Sequence, residues 1–211
     1  TSVLKIVQAH LKFSKMNLNY ELNLVSLNNQ NEKTIYENIN FTISAFPLNH
    51  SIYTNGFRVE EKKKRRKLLI DKVLQNKIDK VYYNKLTKSE NVINIEGKEI
   101  NYLEVTKEGS KPKSFAYCSD TAYFEKLVDY INNVDLLFCE TTFLEKDRDK
   151  AIATFHSTTI DAAKLAKQGK VKQLLIGHFS SRYDDYSTFY KEVTSVFENV
   201  ILSEEGKKVQ V

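Results

Sequence analysis

The chain has 211 residues, 41% of them hydrophobic, with 12 Tyr and 12 Phe. That is enough length and apolar content to bury a core, and it excludes a disordered composition. Only 6 Gly and 2 Pro argue against a turn-rich all-β sandwich, no apolar run reaches the roughly 18 residues of a membrane span, and a formal net charge of +5 permits a polyanionic partner without requiring one.

Taken in chain order, residues 2–14 fit a helix with one buried face formed by Val3, Leu4, Ile6, Val7, Leu11 and, near its end, Phe13, with His10 as a surface or rim histidine. No charged start followed by an apolar stretch opens the chain, so no secretory leader is expected. Apolar and polar residues alternate at 20–27 (YELNLVSL) and 41–46 (FTISAF), which predicts two half-buried strands joined by a polar turn over 28–33. A shorter strand is expected at 56–59. At Glu60 the character changes. EEKKKRRK opens a Lys-rich, weakly periodic region, and 61–111 is expected to be an insertion that projects from the domain and carries basic charge.

From Ser114 the pattern alternates. Strands are predicted at 115–118, 134–139, 171–176, 200–202 and 209–211. Helices are predicted at 123–132, at 159–168 with Gly169 as its stop, and at 187–197. This predicts an α/β layer architecture formed by 1–60 together with 112–211. The cysteines, Cys118 and Cys139, sit in apolar strand-like runs and read as reduced, buried thiols of a cytoplasmic protein.

His50, Asp120 and His178 each stand where a strand gives way to a loop, the place where α/β sheets gather ligands. Imidazole and carboxylate bind divalent metals, and a carboxylate can bridge two ions. Each residue alone has a plainer reading, as a surface histidine, a turn or a helix cap. On these grounds the sequence describes an α/β domain with a metal or polar site.

The surrounding segments say more. Pro47-Leu48-Asn49-His50 with Gly56-Phe57-Arg58-Val59-Glu60, Tyr117-Cys118-Ser119-Asp120-Thr121, Cys139-Glu140-Thr141-Thr142-Phe143, His156-Ser157-Thr158 and LLIGHFSSRY at 174–183 resemble, in order, the motifs of the ribonuclease Z family. The family's HEAT loop here has Cys139 and Thr141 in place of its His and Ala. The resemblance implies a metallo-β-lactamase αββα sandwich with a dinuclear zinc site, a zinc-dependent endoribonuclease that trims 3′ trailers from precursor tRNA, and a homodimer. By the same resemblance His50, Asp120 and His178 are metal ligands, with Asp120 bridging two Zn2+. His156 protonates the leaving 3′ oxygen, and Glu140 orients His156 and favours its charged form. Ser157, Thr158 and Arg182 would contact phosphates near the cut. Read from the residues alone, Thr158 also suits a helix cap.

The insertion falls where the family carries a tRNA-clasping arm, so Lys62, Lys63, Lys64, Arg65 and Arg66 are expected to neutralise phosphates. The Gly-Pro pair common near the arm's tip is missing, and Tyr82 and Tyr83 are expected to pack or stack there. The family's HxHxDH motif is missing too, since no HxH occurs in the chain. The expectation is a C-terminal part of the enzyme: an incomplete sandwich with an exposed apolar face, weak metal binding, little cleavage by itself and a tendency to associate. Two other readings are a superfamily phosphodiesterase acting on small substrates, and a catalytically silent RNA-binding half. The retained histidines and carboxylates disfavour the latter.

Overall fold

The computed structural model describes residues 2–14 and 18–211. Helix α1 (Ser2–Ser14) leads to strands β1 (Lys33–Glu37), β2 (Phe41–Pro47) and β3 (Asn55–Glu61), an antiparallel meander. The chain then leaves the sheet through β4 (Lys67–Leu68), α2 (Ile70–Gln75), α3 (Tyr83–Thr87), β5 (Val92–Ile93), β6 (Glu99–Ile100), α4 (Tyr102–Val105) and β7 (Thr106–Lys107). It re-enters at β8 (Ser114–Cys118), followed by α5 (Leu127–Tyr130), β9 (Leu136–Glu140), α6 (Arg148–Thr154), α7 (Thr159–Gln168), β10 (Gln173–Gly177), α8 (Ser187–Thr194) and β11 (Val200–Leu202).

The large sheet has seven strands in the order β1-β2-β3-β8-β9-β10-β11. β3 meets β8 antiparallel, and β8 through β11 are parallel. The parallel half arises because each strand is followed by a helical crossover that returns the chain to the same edge. Arg58, Ala116, Leu137, Leu174 and Val200 are in register across β3, β8, β9, β10 and β11. Ala116, Leu137 and Leu174 from this row join the main core, together with Leu127, Leu165 and Phe189 from α5, α7 and α8. Phe46 stacks on Tyr130 at 5.0 Å. Gly56 is required beside it, since a Cβ there would lie 2.3 Å from the Phe46 ring.

The opposite row consists of Phe57, Tyr117, Phe138, Leu175 and Ile201. It is apolar yet only half-buried, and Tyr117 is 39% exposed. Two facing large sheets are expected from the family resemblance. Among the described residues there is one large sheet and two two-stranded ribbons, so one face of the layer pair lacks a second sheet.

Several boundaries differ from the sequence reading. Residues 20–27 form no strand and are mostly exposed, and the first strand lies at Lys33–Glu37, partly where a turn was expected. Alternation describes a strand that has a surface to lie on, and 20–27 has no ladder partner. The strand expected at 209–211 is absent for the same reason. The helix expected at 123–132 shrinks to Leu127–Tyr130. The residues just before it are held elsewhere, with the Ala122 N–H donating to the Asn49 carbonyl and the Thr121 N–H to Glu140. Helix α6 was not foreseen.

The segment between β3 and β8 has its own small core of Val73, Ile78, Leu86, Val92, Ile100 and Val105. The β4–β7 pairing closes its root. Tyr82 and Tyr83 pack against this core rather than standing free. Both cysteines are free and buried, and burial pushes both thiols up, away from reactivity.

Candidate active site

The parallel strands end at one edge, and the candidate residues collect there. Asp120 follows β8, Glu140 closes β9 and His178 follows β10 directly. His178 has φ +63, a left-handed conformation that costs energy in a side-chain-bearing residue and concentrates at functional sites. His50 comes from the β2–β3 loop, and His156 from the loop between α6 and α7.

Glu140 is fully buried. Its Oε1 accepts from Thr121 N–H (3.1 Å), Ser157 N–H (2.9 Å) and His156 Nδ1 (2.8 Å). Its Oε2 accepts from the N–H (2.9 Å) and the hydroxyl (2.7 Å) of Thr142. A carboxylate so surrounded is rigid and compensated for its burial. The hydrogen bond to Glu140 raises the His156 imidazole above its ordinary value, against the opposing effect of burial, and the charges of Glu140 and Asp120 add to the rise. His156 therefore holds a proton more readily than a free histidine.

Ligand atoms of His50, Asp120 and His156 lie within 4.8 Å of one another, and Asp120 Oδ1 lies 3.3 Å from His178 Nε2. His50 Nδ1 donates to the Phe155 carbonyl at 2.9 Å. That bond leaves Nε2 with its lone pair, the usual outer contact of a metal-binding imidazole. A carboxylate facing a neutral imidazole nitrogen presents two acceptors to one another, which a cation between them would reconcile. The donor set of imidazoles and a carboxylate fits a divalent metal ion. Glu140, His156 and His178 are also mutually close, but the Glu140 oxygens are already occupied by N–H and O–H donors, so Glu140 belongs to the proton pair and not to a ligand set.

Arg182 is exposed near this edge, stacked over Phe143 at 4.9 Å with Nε donating to Ser180. Ser157 and Thr158 do not face the open side, which corrects the expectation that they contact substrate. Both are fully buried. The Ser157 hydroxyl donates to the Thr121 carbonyl at 2.6 Å. Thr158 caps α7 in a reciprocal box with Asp161 and donates to Glu145.

The basic run lies at the root of the inserted segment. Lys62 pairs with Glu37, Lys64 pairs with Glu61 and Arg65 donates to Asn84. Lys63 is exposed. Arg66 is drawn inward, stacked on Tyr102 at 5.1 Å and donating to Thr106. Packing at the root replaces its expected part in phosphate contact. Thr142 and the Phe155 carbonyl belong to the site without being among the residues expected from the sequence. The Thr-Thr pair after Glu140 was the available signal for the former.

The ribonuclease Z of Phocaeicola vulgatus is 32% identical over 207 residues, covering 98% of this chain and 67% of the relative. The chain belongs to the ribonuclease Z family. The ribonuclease Z of Cytophaga hutchinsonii is 36% identical over 98% of this chain and 66% of its own length. That of Bacteroides fragilis (strain YCH46) is 34% identical over 93% of this chain, and the match spans 64% of that relative's length. No protein-family model matches. Among solved structures, human tRNase Z, short form, superposes with a TM-score of 0.59 at 20% identity, over 96% of this chain and 62% of that one. The metallo-β-lactamase fold protein YhfI from Bacillus subtilis gives 0.57 at 16% identity, over 93% and 58%. The fold is thus that of metallo-β-lactamase proteins. Ribonuclease Z members of this fold are longer than the stretch this chain matches.

Proposed function

We propose that this chain carries part of the active site of a metal-dependent endoribonuclease that removes 3′ trailers from precursor tRNA. The observation that supports it most is the buried Glu140–His156 pair opening toward His50, Asp120 and His178 in a chain of the ribonuclease Z family. His50, Asp120 and His178 would hold zinc. Zinc, when bound, supplies Lewis acidity toward the scissile phosphate and lowers the pKa of water.

The chain's own residues do the rest. His156 keeps its Nδ1 proton on Glu140 and offers the proton of the other ring nitrogen to the 3′ oxygen, as the oxygen of a hydroxide derived from water bonds to the phosphorus and the P–O bond to the 3′ oxygen breaks. This leaves a 3′-OH on the tRNA and a 5′-phosphate on the trailer. Arg182, held flat against Phe143, grips phosphate oxygens. The inserted segment is read as a tRNA-binding arm, with exposed Lys63, Lys64 and Arg65 neutralising phosphates. The reading also implies a cytoplasmic enzyme that pairs with a second copy. Among the described residues no helix is long and apolar enough to cross a membrane.

Since each zinc wants about four donors, the chain alone is expected to cleave weakly or not at all, and to cleave when combined with a segment bearing an HxHxDH motif. The test is electrophoretic cleavage of a 3′-extended precursor tRNA by both samples. Cutting in the combined sample, with a loss of about 10²–10⁴-fold for His156→Ala and abolition by His178→Ala, is the expected result. A combined sample that folds and binds zinc but leaves the tRNA intact would refute the proposal. Deleting 62–113 separates it from a small-substrate phosphodiesterase, which would keep its activity.

A further inference from the structure

Thr142 stands at the centre of the site, and neither the proton pair nor the ligand set accounts for it. Its Oγ1 lies 2.7 Å from Glu140 Oε2, 2.8 Å from His178 Nδ1 and 3.2 Å from His156 Nδ1. A hydroxyl has one hydrogen to give and lone pairs to receive. Of these neighbours only Glu140 is a carboxylate, the stronger acceptor for that hydrogen. N–H groups of Thr121, Thr142, Ser157 and His156 already point at its oxygens, so Glu140 has no room to be the donor. The Thr142 hydrogen therefore goes to Glu140. The oxygen then accepts from His178, which must carry its proton on Nδ1. His178 Nε2 is left with its lone pair directed at Asp120, 3.3 Å away.

We infer that Thr142 is a positioning residue that fixes the tautomer of His178 and ties it to the Glu140–His156 pair through one hydroxyl. The backbone supports this arrangement. Thr141 N–H donates to the Gly177 carbonyl (2.8 Å) and Ser180 N–H donates to the Thr142 carbonyl (3.1 Å), so the two loops are bonded on both sides of His178. This clamp also holds His178 in its left-handed backbone conformation. The consequence rests on the reading of His178 as a metal ligand: the imidazole is set for coordination before any ion arrives.

The test needs neither RNA nor metal. Histidine ring nitrogens of the 211-residue chain are observed by 15N NMR at about pH 8.5, where an ordinary histidine, titrating near 6.5, is neutral. His178 should show a protonated-type Nδ1 and an unprotonated-type Nε2. Thr142→Val, nearly the same shape without the hydroxyl, should shift His178 toward a mixture of tautomers while leaving His50, whose Nδ1 faces a carbonyl, unchanged. Thr142→Ser should restore the wild-type pattern. A wild-type His178 protonated on Nε2, or a valine variant with the wild-type pattern, would overturn the inference. The wild-type spectrum decides even where the valine variant fails to fold. Zinc titration of the same samples keeps the two ideas apart. A correct tautomer with no zinc uptake at His178 defeats the metal reading alone, whereas uptake with a weakening of about 10–100-fold in the valine variant supports both.

Discussion

The two faces of the large sheet are built from the same strands and have different fates. On one, Ala116, Leu137 and Leu174 are fully buried beneath α5, α7 and α8. On the other, Phe57, Tyr117, Phe138 and Leu175 form an apolar row that is only partly covered, with Tyr117 the most exposed of the four. Strands buried on both faces read as continuous apolar runs, and strands with one wet face alternate. The runs at 136–139 (LLFC) and 174–176 (LLI) are of the first kind, while β2 (FTISAFP) is nearer the second. The parallel half of the sheet is therefore composed for cover on both sides. On the proposed reading the site shares this property, since it lies at the edge of the same parallel strands and offers fewer donors than the two zinc ions of that reading would require.

Adjacent residues of β9 offer the sharpest way to break the comparison. Leu137→Ala removes a fully buried side chain and should cost about 2–5 kcal/mol in urea unfolding of the chain. Phe138→Ala removes a larger group from the opposite face, yet should cost less than its volume alone suggests, about 1–3 kcal/mol, because part of that surface is hydrated already. Equal losses would show that something covers the outer face. If the Phe138 loss grows with protein concentration, the cover is a second copy. An intermediate effect is expected for Leu175→Lys on the same row. It should change the unfolding free energy by about 1 kcal/mol and reduce self-association in sedimentation, since it breaks a partly exposed apolar row.

The same contrast explains what could be read from the sequence. The parallel strands were legible because burial on both sides leaves an apolar run bounded by polar residues, and Asp120, Glu140 and His178 were legible because they end those runs. The antiparallel edge was not. β1 is exposed along its whole length, so its residues carry no trace of a buried face, while 20–27 alternates without a partner. Helix α6 escaped notice because it buries only Ala151 and leaves Ile152 63% exposed. The motif at 156–158 was visible, but not which way its side chains point. Ser157 and Thr158 turn inward because the Glu140 carboxylate and the cap of α7 need their N–H and O–H groups more than the open edge does. Thr142 shows in the sequence only as one of the Thr-Thr pair after Glu140, and its importance appears when Glu140 and His178 are brought to either side of it.

The smallest effect concerns the other end of the same strands. At the edge opposite the site, Asp135 accepts from the N–H and hydroxyl of Ser114 and pairs with Lys172 at 2.5 Å, joining the starts of β8 and β9 to the residue before β10. Burial pushes the Asp135 carboxyl up, but the hydrogen bonds from Lys172 and Ser114 together outweigh it and hold the group below the usual carboxylate range. A depressed folded value means the unfolded chain binds this proton more tightly. The contribution to stability is therefore whole above the unfolded value of about 3.9 and is lost as pH falls through the lower, folded value. Asp135→Asn should flatten this part of the acid limb in urea titrations repeated from neutral pH down to about pH 3, with little change in the site's histidine signals at the far edge. A variant whose acid limb matches the wild type would mean that the strand starts are held by the backbone ladder alone. The two ends of the parallel strands would then differ in kind, with side chains organising only the end where the histidines meet.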